Sequence, residues 1–249
     1  MNNFWEIIHK VISQSDILLI VLDSRMPFAT RNIEIERKVE NANKPYIYVI
    51  NKSDLVDKAT LDAYKKTIPN SVFISAKEHT GTHHLREKIQ IYAARAGING
   101  DVRVGVLGYP NVGKSSIINA LSGRKAAPVS NISGFTKSLR NVRMTAKIML
   151  LDTPGVIPYR EDNDLKHVMI GTIDYSKEKD PEFVITRLMV QFPGIIEKYY
   201  GVEIHTDNYL TIDAIAKKRK LVAKGNVPDS RRAATMILKD WQTGKLVKK

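Results

Sequence analysis

The residues with the clearest chemical potential lie at 108–115, where Gly108 is followed, after four residues, by Gly113, Lys114 and Ser115. This G-x-x-x-x-G-K-S spacing is typical of a phosphate-binding loop, because its glycines let backbone N–H groups approach phosphate oxygens. The lysine supplies charge for the β and γ phosphates, and the serine hydroxyl can coordinate Mg²⁺. A glycine-rich turn that binds nothing is the alternative. An apolar run before the loop and a helix-like stretch after it favour phosphate binding.

A second group of polar residues, Asn51, Lys52 and Asp54, directly follows another apolar run. A carboxylate such as that of Asp54 can accept two parallel hydrogen bonds from the N1–H and 2-amino groups of guanine, and adenine offers neither donor there. We expect Asn51 to brace this loop and contact the base, and the Lys52 stem to lie along the purine. The N-K-x-D pattern also occurs by chance in surface turns, so it indicates guanine binding only together with the strand before it.

A third loop, Ser75-Ala76-Lys77, follows the next apolar run. The small side chain of Ala76 leaves room for a base, and its N–H can donate to the guanine carbonyl oxygen. The tripeptide indicates nothing alone. After the Asn51–Asp54 loop, it predicts the second half of a guanine pocket.

The last polar group follows the phosphate loop. Asp152 ends an apolar run and can support Mg²⁺, and the Gly155 N–H can contact the γ phosphate. Within the long polar segment 123–137, Thr136 is our candidate for reaching Mg²⁺ and the γ phosphate, and Ser130 and Ser133 compete for that role.

All these loops need a sheet whose strands end at one edge. Alternating strand and helix patterns predict such an α/β arrangement. We predict strands at 16–22, 46–50, 71–74 and 102–107, helices at 4–12, 32–41, 82–97 and 116–122, and a hairpin from 138–145 and 147–151.

Composition narrows the function classes. The 249 residues contain no cysteine, which excludes disulfides and thiolate metal sites, and no apolar run long enough to span a membrane. The first residues do not resemble a signal peptide, so we expect a cytoplasmic protein without a membrane partner. The net charge of +13 is typical of proteins that bind a polyanion.

The positive charge is concentrated towards the C-terminus. Apolar residues at helical spacing there predict a small α-helical domain over 161–249, following a nucleotide-binding domain over 1–160. Clustered basic side chains of this kind bind phosphate backbones, although a merely solvated surface is the alternative. We therefore predict that a polyanion, which is RNA, DNA or an acidic protein, binds Lys217, Lys218, Arg219, Lys220, Lys224, Arg231 and Arg232.

The order of the motifs is unusual, because the guanine loops precede the phosphate loop. In this order the chain resembles the circularly permuted GTPases of the YlqF/RbgA-like group, which act in ribosome assembly. The resemblance is strong over residues 1–160 and rests on 23–27, 51–54, 75–77, 108–116, 134–136 and 152–155.

The resemblance implies a P-loop NTPase three-layer α/β fold with permuted motif order, plus the small α-helical domain. It adds Val112 and Ser116 to the nucleotide-binding residues and assigns Lys114, Thr136, Gly155 and Asn111 to catalysis. It also implies that Asn111 helps to hold a potassium ion beside the phosphates, where a turn residue without an ion is the alternative. The implied ligands are GTP, GDP and Mg²⁺. The implied partner of a free monomer is ribosomal RNA or a ribosomal particle, of the large subunit.

One position departs from the Ras-like pattern. Val156 stands where Ras-like enzymes carry the glutamine that orients the attacking water, so we expect slow hydrolysis without a ribosomal partner and potassium. This valine keeps open a nucleotide-dependent RNA-binding module with negligible hydrolysis. An ATP-using phosphotransferase that shares only the phosphate loop is a further alternative.

Overall fold

The structure is a computed structural model that describes residues 2–123, 140–155, 157 and 163–247. The chain divides into two compact units, Met1–Asp162 and Asn163–Lys249. Within the described ranges, no helix combines the length and apolar character needed to cross a membrane.

The first unit is built on one sheet in which β5 alone runs antiparallel to its neighbour, β6. Its strand order is β3-β2-β1-β4-β6-β5. The described strands are β1 (Ile17–Asp23), β2 (Tyr46–Asn51), β3 (Ser71–Phe73), β4 (Val102–Gly108), β5 (Arg140–Arg143) and β6 (Ile148–Asp152). The described helices are α1 (Asn2–Gln14), α2 (Ile33–Asn41), α3 (Lys58–Thr67), α4 (Thr82–Arg95) and α5 (Lys114–Ser122).

Helices cover both faces of this sheet. Successive side chains of β1 point to opposite faces, and all of them are buried. Leu18 packs with α1 and α2. Its neighbours Ile17 and Leu19 are equally buried and face the other way. Right-handed crossovers place α2 and α3 on the first face and α4 and α5 on the second. The predicted three-layer α/β fold is therefore confirmed.

The register of the parallel strands brings the candidate residues to one edge. Asp23 at the end of β1 is paired with Asn51 at the end of β2. On the other side of β1, Val21 is paired with Gly108 at the end of β4. Because parallel strands share their carboxyl-terminal edge, loops that are distant in sequence meet there.

The elements differ from the predicted ones mainly at their ends. The hairpin is present as β5 and β6, which pair antiparallel from Arg140↔Asp152 onwards. Helix α5 begins at Lys114 rather than at residue 116, since the phosphate loop passes directly into the helix. Strand β3 is shorter than predicted, and α4 ends at Arg95, before Gly97 takes a positive φ of 67°.

The second unit is helical, as predicted. Its helices are α6 (Asp164–Met169), α7 (Pro181–Gln191), α8 (Ile195–Tyr200), α9 (Asn208–Lys218) and α10 (Ser230–Gln242). Trp241 is buried, and its Nε1–H donates to the Met169 carbonyl at 2.7 Å. Ile185 and Leu188 of α7 are fully buried, whereas Phe183 at the start of the same apolar stripe is 45% exposed.

Candidate functional site

The phosphate loop lies between β4 and α5, as its sequence requires. Gly113 has a positive φ of 98°, and a Cβ atom built there would overlap the Asn51 side-chain amide. Glycine is therefore needed at this position for space as well as for conformation. Asn111 also has a positive φ, of 60°. Val112 is buried, and Ser116 is half-buried in the first turn of α5.

The Lys114 side chain is held inside the phosphate loop. Its side chain is buried, and Nζ donates to the carbonyl oxygens of Gly108 at 3.1 Å and Tyr109 at 2.7 Å. Burial lowers the pKa of Lys114 to about 8, and the Coulomb attraction of Asp152 opposes part of that shift. Phosphate oxygens near Nζ would favour the charged form, so nucleotide binding and protonation of Lys114 are coupled.

This coupling predicts proton uptake on binding. With a pKa of about 8, Lys114 is roughly half protonated at pH 8 before binding and fully protonated beside phosphates. We expect uptake of about half a proton per GDP at pH 8, little uptake at pH 6.5, and affinity that falls as pH rises above 8. Calorimetry in buffers of different ionisation enthalpy measures this uptake. The Lys114→Arg variant is the control, since arginine stays charged; the same uptake in that variant contradicts the assignment.

Ser115 and Asp152 form the candidate Mg²⁺ site. The Ser115 hydroxyl donates to Asp152 Oδ2 at 3.0 Å, and Asp152 is completely buried. Its other oxygen, Oδ1, is buried and has no hydrogen-bond partner in the described part of the chain. Burial raises the pKa of Asp152, and the Ser115 hydrogen bond and the charge of Lys114 oppose that shift. Hydroxyl and carboxylate oxygens are ligands that Mg²⁺ prefers, so these residues fit that ion.

Asn51 connects three loops of the site. Its Nδ2 donates to the Val112 carbonyl of the phosphate loop at 2.9 Å. Its Oδ1 accepts from the Ala76 N–H at 3.1 Å. The Ala76 N–H, which we predicted to meet the guanine carbonyl oxygen, therefore donates to Asn51. If Ala76 is to bind a base, its N–H must either donate to Asn51 and the guanine carbonyl oxygen together or leave Asn51 for the guanine.

The loop around Ala76 is ordered by its own hydrogen bonds. Ser75 is completely buried, and its hydroxyl accepts from the Glu78 N–H at 3.0 Å. Lys77 is exposed on the outer side of the turn. This arrangement leaves the Ser75 and Ala76 backbone as the part of the loop that is held against Asn51.

Asp54 lies in a short 3₁₀ turn, Ser53–Leu55, and is half-buried. The turn is fixed to the residue that follows β3, because the Ser53 N–H donates to the Ile74 carbonyl at 3.0 Å. Asp54 therefore reaches the same sheet edge as Asn51.

A buried ion-pair cluster beside this loop was not foreseen from the sequence. The Asp23 carboxylate binds Lys52 Nζ and Arg25 Nη2, each at 2.7 Å. From the sequence, Asp23 and Arg25 belonged only to the family pattern and had no assigned role. Two opposite charges placed directly after six apolar residues were the available signal, since a buried strand leads its last side chain into the interior.

Gly155 lies against the phosphate loop, because a Cβ atom there would overlap the backbone of Pro110. Its N–H is thus near the loop whose phosphates we expect it to contact. Thr136, with its competitors Ser130 and Ser133, and Val156 lie outside the described residues.

The predicted RNA-binding residues are all exposed, and they surround the connection from α9 to α10. Arg219 lies over the Tyr200 ring at 5.1 Å, and Lys218 Nζ donates to the Gly201 carbonyl at 2.5 Å. Arg231 Nη2 donates to the Lys179 carbonyl at 2.9 Å. The structure thus groups the basic residues on the second unit, with three of them anchored by neighbours.

Comparison with known proteins gives consistent matches. Residues 103–186 match the family described as 50S ribosome-binding GTPase. An uncharacterized GTP-binding protein of Methanocaldococcus jannaschii is 40% identical over 246 residues, covering 97% of this chain and 65% of that protein. Nucleolar GTP-binding protein 2 of Neurospora crassa is 32% identical over 251 residues, covering 97% of this chain and 40% of that protein.

Among solved structures, GNP-bound YlqF from T. maritima matches with a TM-score of 0.63 at 22% identity, covering 99% of this chain and 96% of that chain. This likeness shows that the two chains share a fold over nearly their whole lengths. The chain spans 65% or less of the length of the two curated relatives described above.

Proposed function

We propose that the chain is a member of the YlqF/RbgA-like family of circularly permuted GTPases and that it hydrolyses GTP to GDP and phosphate as a switch in ribosome assembly. In this proposal the nucleotide state controls binding to a ribosomal particle of the large subunit. The protein would act in the cytoplasm as a monomer until it meets that particle.

The observation that carries the proposal is the pair of hydrogen bonds made by Asn51. They join the loop that carries Asp54 to the phosphate loop and to the Ala76 loop. A base recognised by Asp54 and phosphates surrounded by the Gly113 and Lys114 backbone would thus be bound by one rigid assembly. Such preorganisation favours one guanine nucleotide over separate base or phosphate ligands.

Hydrolysis requires charge to be stabilised around the γ phosphate. Ser115 and Asp152 would hold Mg²⁺, which neutralises phosphate charge when bound. Lys114 adds a second positive charge, and Thr136 and Gly155 would contact the γ phosphate. Val156 cannot orient water, so we propose slow intrinsic hydrolysis and a potassium ion, held with the help of Asn111, that stabilises the transition state.

The proposed partner is ribosomal RNA in the particle. The exposed basic residues around the connection from α9 to α10 favour a phosphate backbone. The family that residues 103–186 match is described as 50S ribosome-binding GTPase. Contacts of this type bind RNA without reading its sequence, so the particle's shape would provide the specificity.

The decisive experiment is GTP turnover with and without purified large ribosomal subunits, in potassium and in sodium. We expect stimulation that needs both the subunit and potassium. Equal slow rates in all four conditions would remove both the partner and the role of Asn111 from the proposal. Stimulation by the subunit in both salts would remove only the potassium ion.

A second candidate function is a nucleotide-dependent RNA-binding module with negligible hydrolysis, which Val156 favours. Single-turnover measurements with saturating particle distinguish the two. A rate that stays at the value of the isolated protein supports the module.

The basic surface gives a quantitative prediction. In the K217Q/K218Q/K220Q variant, we expect affinity for ribosomal RNA to fall about tenfold or more. The slope of log affinity against log salt should become shallower by roughly 0.7 to 0.9 for each phosphate that the variant no longer neutralises. The K58Q/K65Q/K66Q variant removes the same charge from exposed lysines of α3 and is the matched control. Equal losses of affinity in both variants would mean that net charge, rather than this surface, determines binding.

A further inference from the structure

The residues at the end of β1 hold the backbone of the guanine loop. The Ser24 N–H donates to the Asn51 carbonyl at 2.9 Å, and the Ser24 hydroxyl donates to the Lys52 carbonyl at 2.6 Å. Lys52 has a positive φ of 61°, in the left-handed region. A residue with a Cβ atom adopts that conformation where its surroundings hold it. Two described groups hold the Lys52 carbonyl: the hydroxyl of Ser24, which is completely buried, and the Leu55 N–H, which donates to it at 2.9 Å.

The same segment also holds the Lys52 side chain. Asp23 is 2% exposed, and its Oδ2 accepts from Lys52 Nζ at 2.7 Å. Arg25 donates two further hydrogen bonds to the Asp23 carboxylate, from Nε to Oδ1 at 3.0 Å and from Nη2 to Oδ2 at 2.7 Å. Burial by itself raises the pKa of Asp23, but the charges and hydrogen bonds of Arg25 and Lys52 outweigh it and hold that pKa far below its ordinary value. The carboxylate is therefore a fixed anion with two cations.

This geometry restrains both ends of Lys52, since its carbonyl is bound by Ser24 and its ammonium by Asp23. The methylene stem between them is restricted to conformations that join these two points. A stem fixed in this way is a preformed apolar surface, and a free lysine would lose rotamer entropy on forming the same surface.

We propose that Asp23 and Ser24 are positioning residues for guanine binding, which hold Lys52 so that its methylene stem forms the surface on which the purine lies. Arg25 orients the Asp23 carboxylate for this task. The inference rests on the proposed function, because it assumes that the Asn51–Asp54 loop binds guanine. It assigns the segment after β1 to the nucleotide site rather than to stability alone.

The test is a double-mutant cycle on GDP affinity. Asp23→Asn releases the ammonium, and Lys52→Met keeps an apolar stem that Asp23 cannot hold. We expect each single variant to bind GDP about tenfold more weakly, and the double variant no more than about threefold more weakly than Lys52→Met. Additive losses would overturn the inference, because they would mean that Asp23 acts independently of Lys52.

The ratio of GDP affinity to IDP affinity distinguishes a positioning role from general disruption of the pocket, because disruption would change that ratio. IDP lacks the 2-amino group that Asp54 is expected to bind. If Asp23 acts through Lys52, its loss weakens GDP and IDP alike and leaves their affinity ratio within about twofold. A ratio that falls towards one in Asp23→Asn would show general disruption of the loop and would contradict the inference.

The R31M/E36Q variant is the matched control, because Arg31 and Glu36 form another partly buried ion pair, at 2.5 Å, whose described contact in β2 is Tyr48 rather than a residue of the guanine loop. It should lower the melting temperature and leave GDP affinity within about twofold.

If Asp23→Asn does not fold, D23N/R25M replaces it in the cycle, since it removes the anion together with one cation. Ser24→Ala should weaken GDP about threefold, and unchanged GDP binding in both replacements would reject the inference.

Failure of the proposed function gives a different result. In that case the unmodified protein binds GDP no better than ADP. If the protein prefers GDP but shows no coupling between Asp23 and Lys52, only the inference about positioning fails.

Discussion

Replacing Asp54 by Asn should convert the protein from a guanine to a xanthine nucleotide binder. The carboxylate is expected to accept from N1–H and the 2-amino group of guanine, whereas an Asn amide can donate to the 2-carbonyl of xanthine. We expect GDP affinity to fall about 100-fold or more, and XDP affinity to rise by a similar factor. Competition of unlabelled GDP, XDP and ADP against a fluorescent nucleotide measures both changes.

A neighbouring carboxylate provides the control for the charge change. Glu78 is exposed beside Lys77 and is not part of the expected base pocket, so Glu78→Gln should keep the preference for GDP over XDP. ADP binding that survives Asp54→Asn unchanged, with no gain for XDP, would support the ATP-using phosphotransferase instead.

Replacing Gly113 by Ala should also abolish tight nucleotide binding. The added Cβ atom overlaps Asn51 Nδ2, so either the phosphate loop or Asn51 must move. Movement of Asn51 breaks its bond to Val112 and disturbs its bond to Ala76, which together join the two halves of the site. We expect GDP affinity to fall about 100-fold or more, measured by calorimetry at 25 °C.

Gly123 is the matched control for the effect of backbone conformation. It also has a positive φ, of 68°, but an added Cβ atom there meets nothing within 4 Å in the described part of the chain. Gly123→Ala should cost about 1 kcal/mol of the free energy of unfolding and change GDP affinity less than twofold. If Gly113→Ala behaves in the same way, the contact between the phosphate loop and Asn51 is not important for binding.

The sequence alone was sufficient for the fold class, and it indicated a chemistry for each loop that stays a prediction. Apolar runs followed by polar residues predicted β1, β2 and β4, because buried strands consist mainly of apolar residues; the one charge inside these runs, Arg103 in β4, is exposed. The spacing around Gly113 predicted a phosphate loop, since few residue types can fulfil that backbone geometry. These signals are local, and each is readable within about ten residues.

The connections between loops could not be predicted in this way. The bonds of Asn51 to Val112 and of Lys52 to Asp23 depend on which strands are neighbours and in what register. The shifted pKa of Lys114 depends on desolvation, to which residues from the whole site contribute. The sequence by itself thus determined which groups reach the sheet edge. Only the tertiary structure decided which of them touch, because strand order and burial are properties of the complete packed unit rather than of any segment.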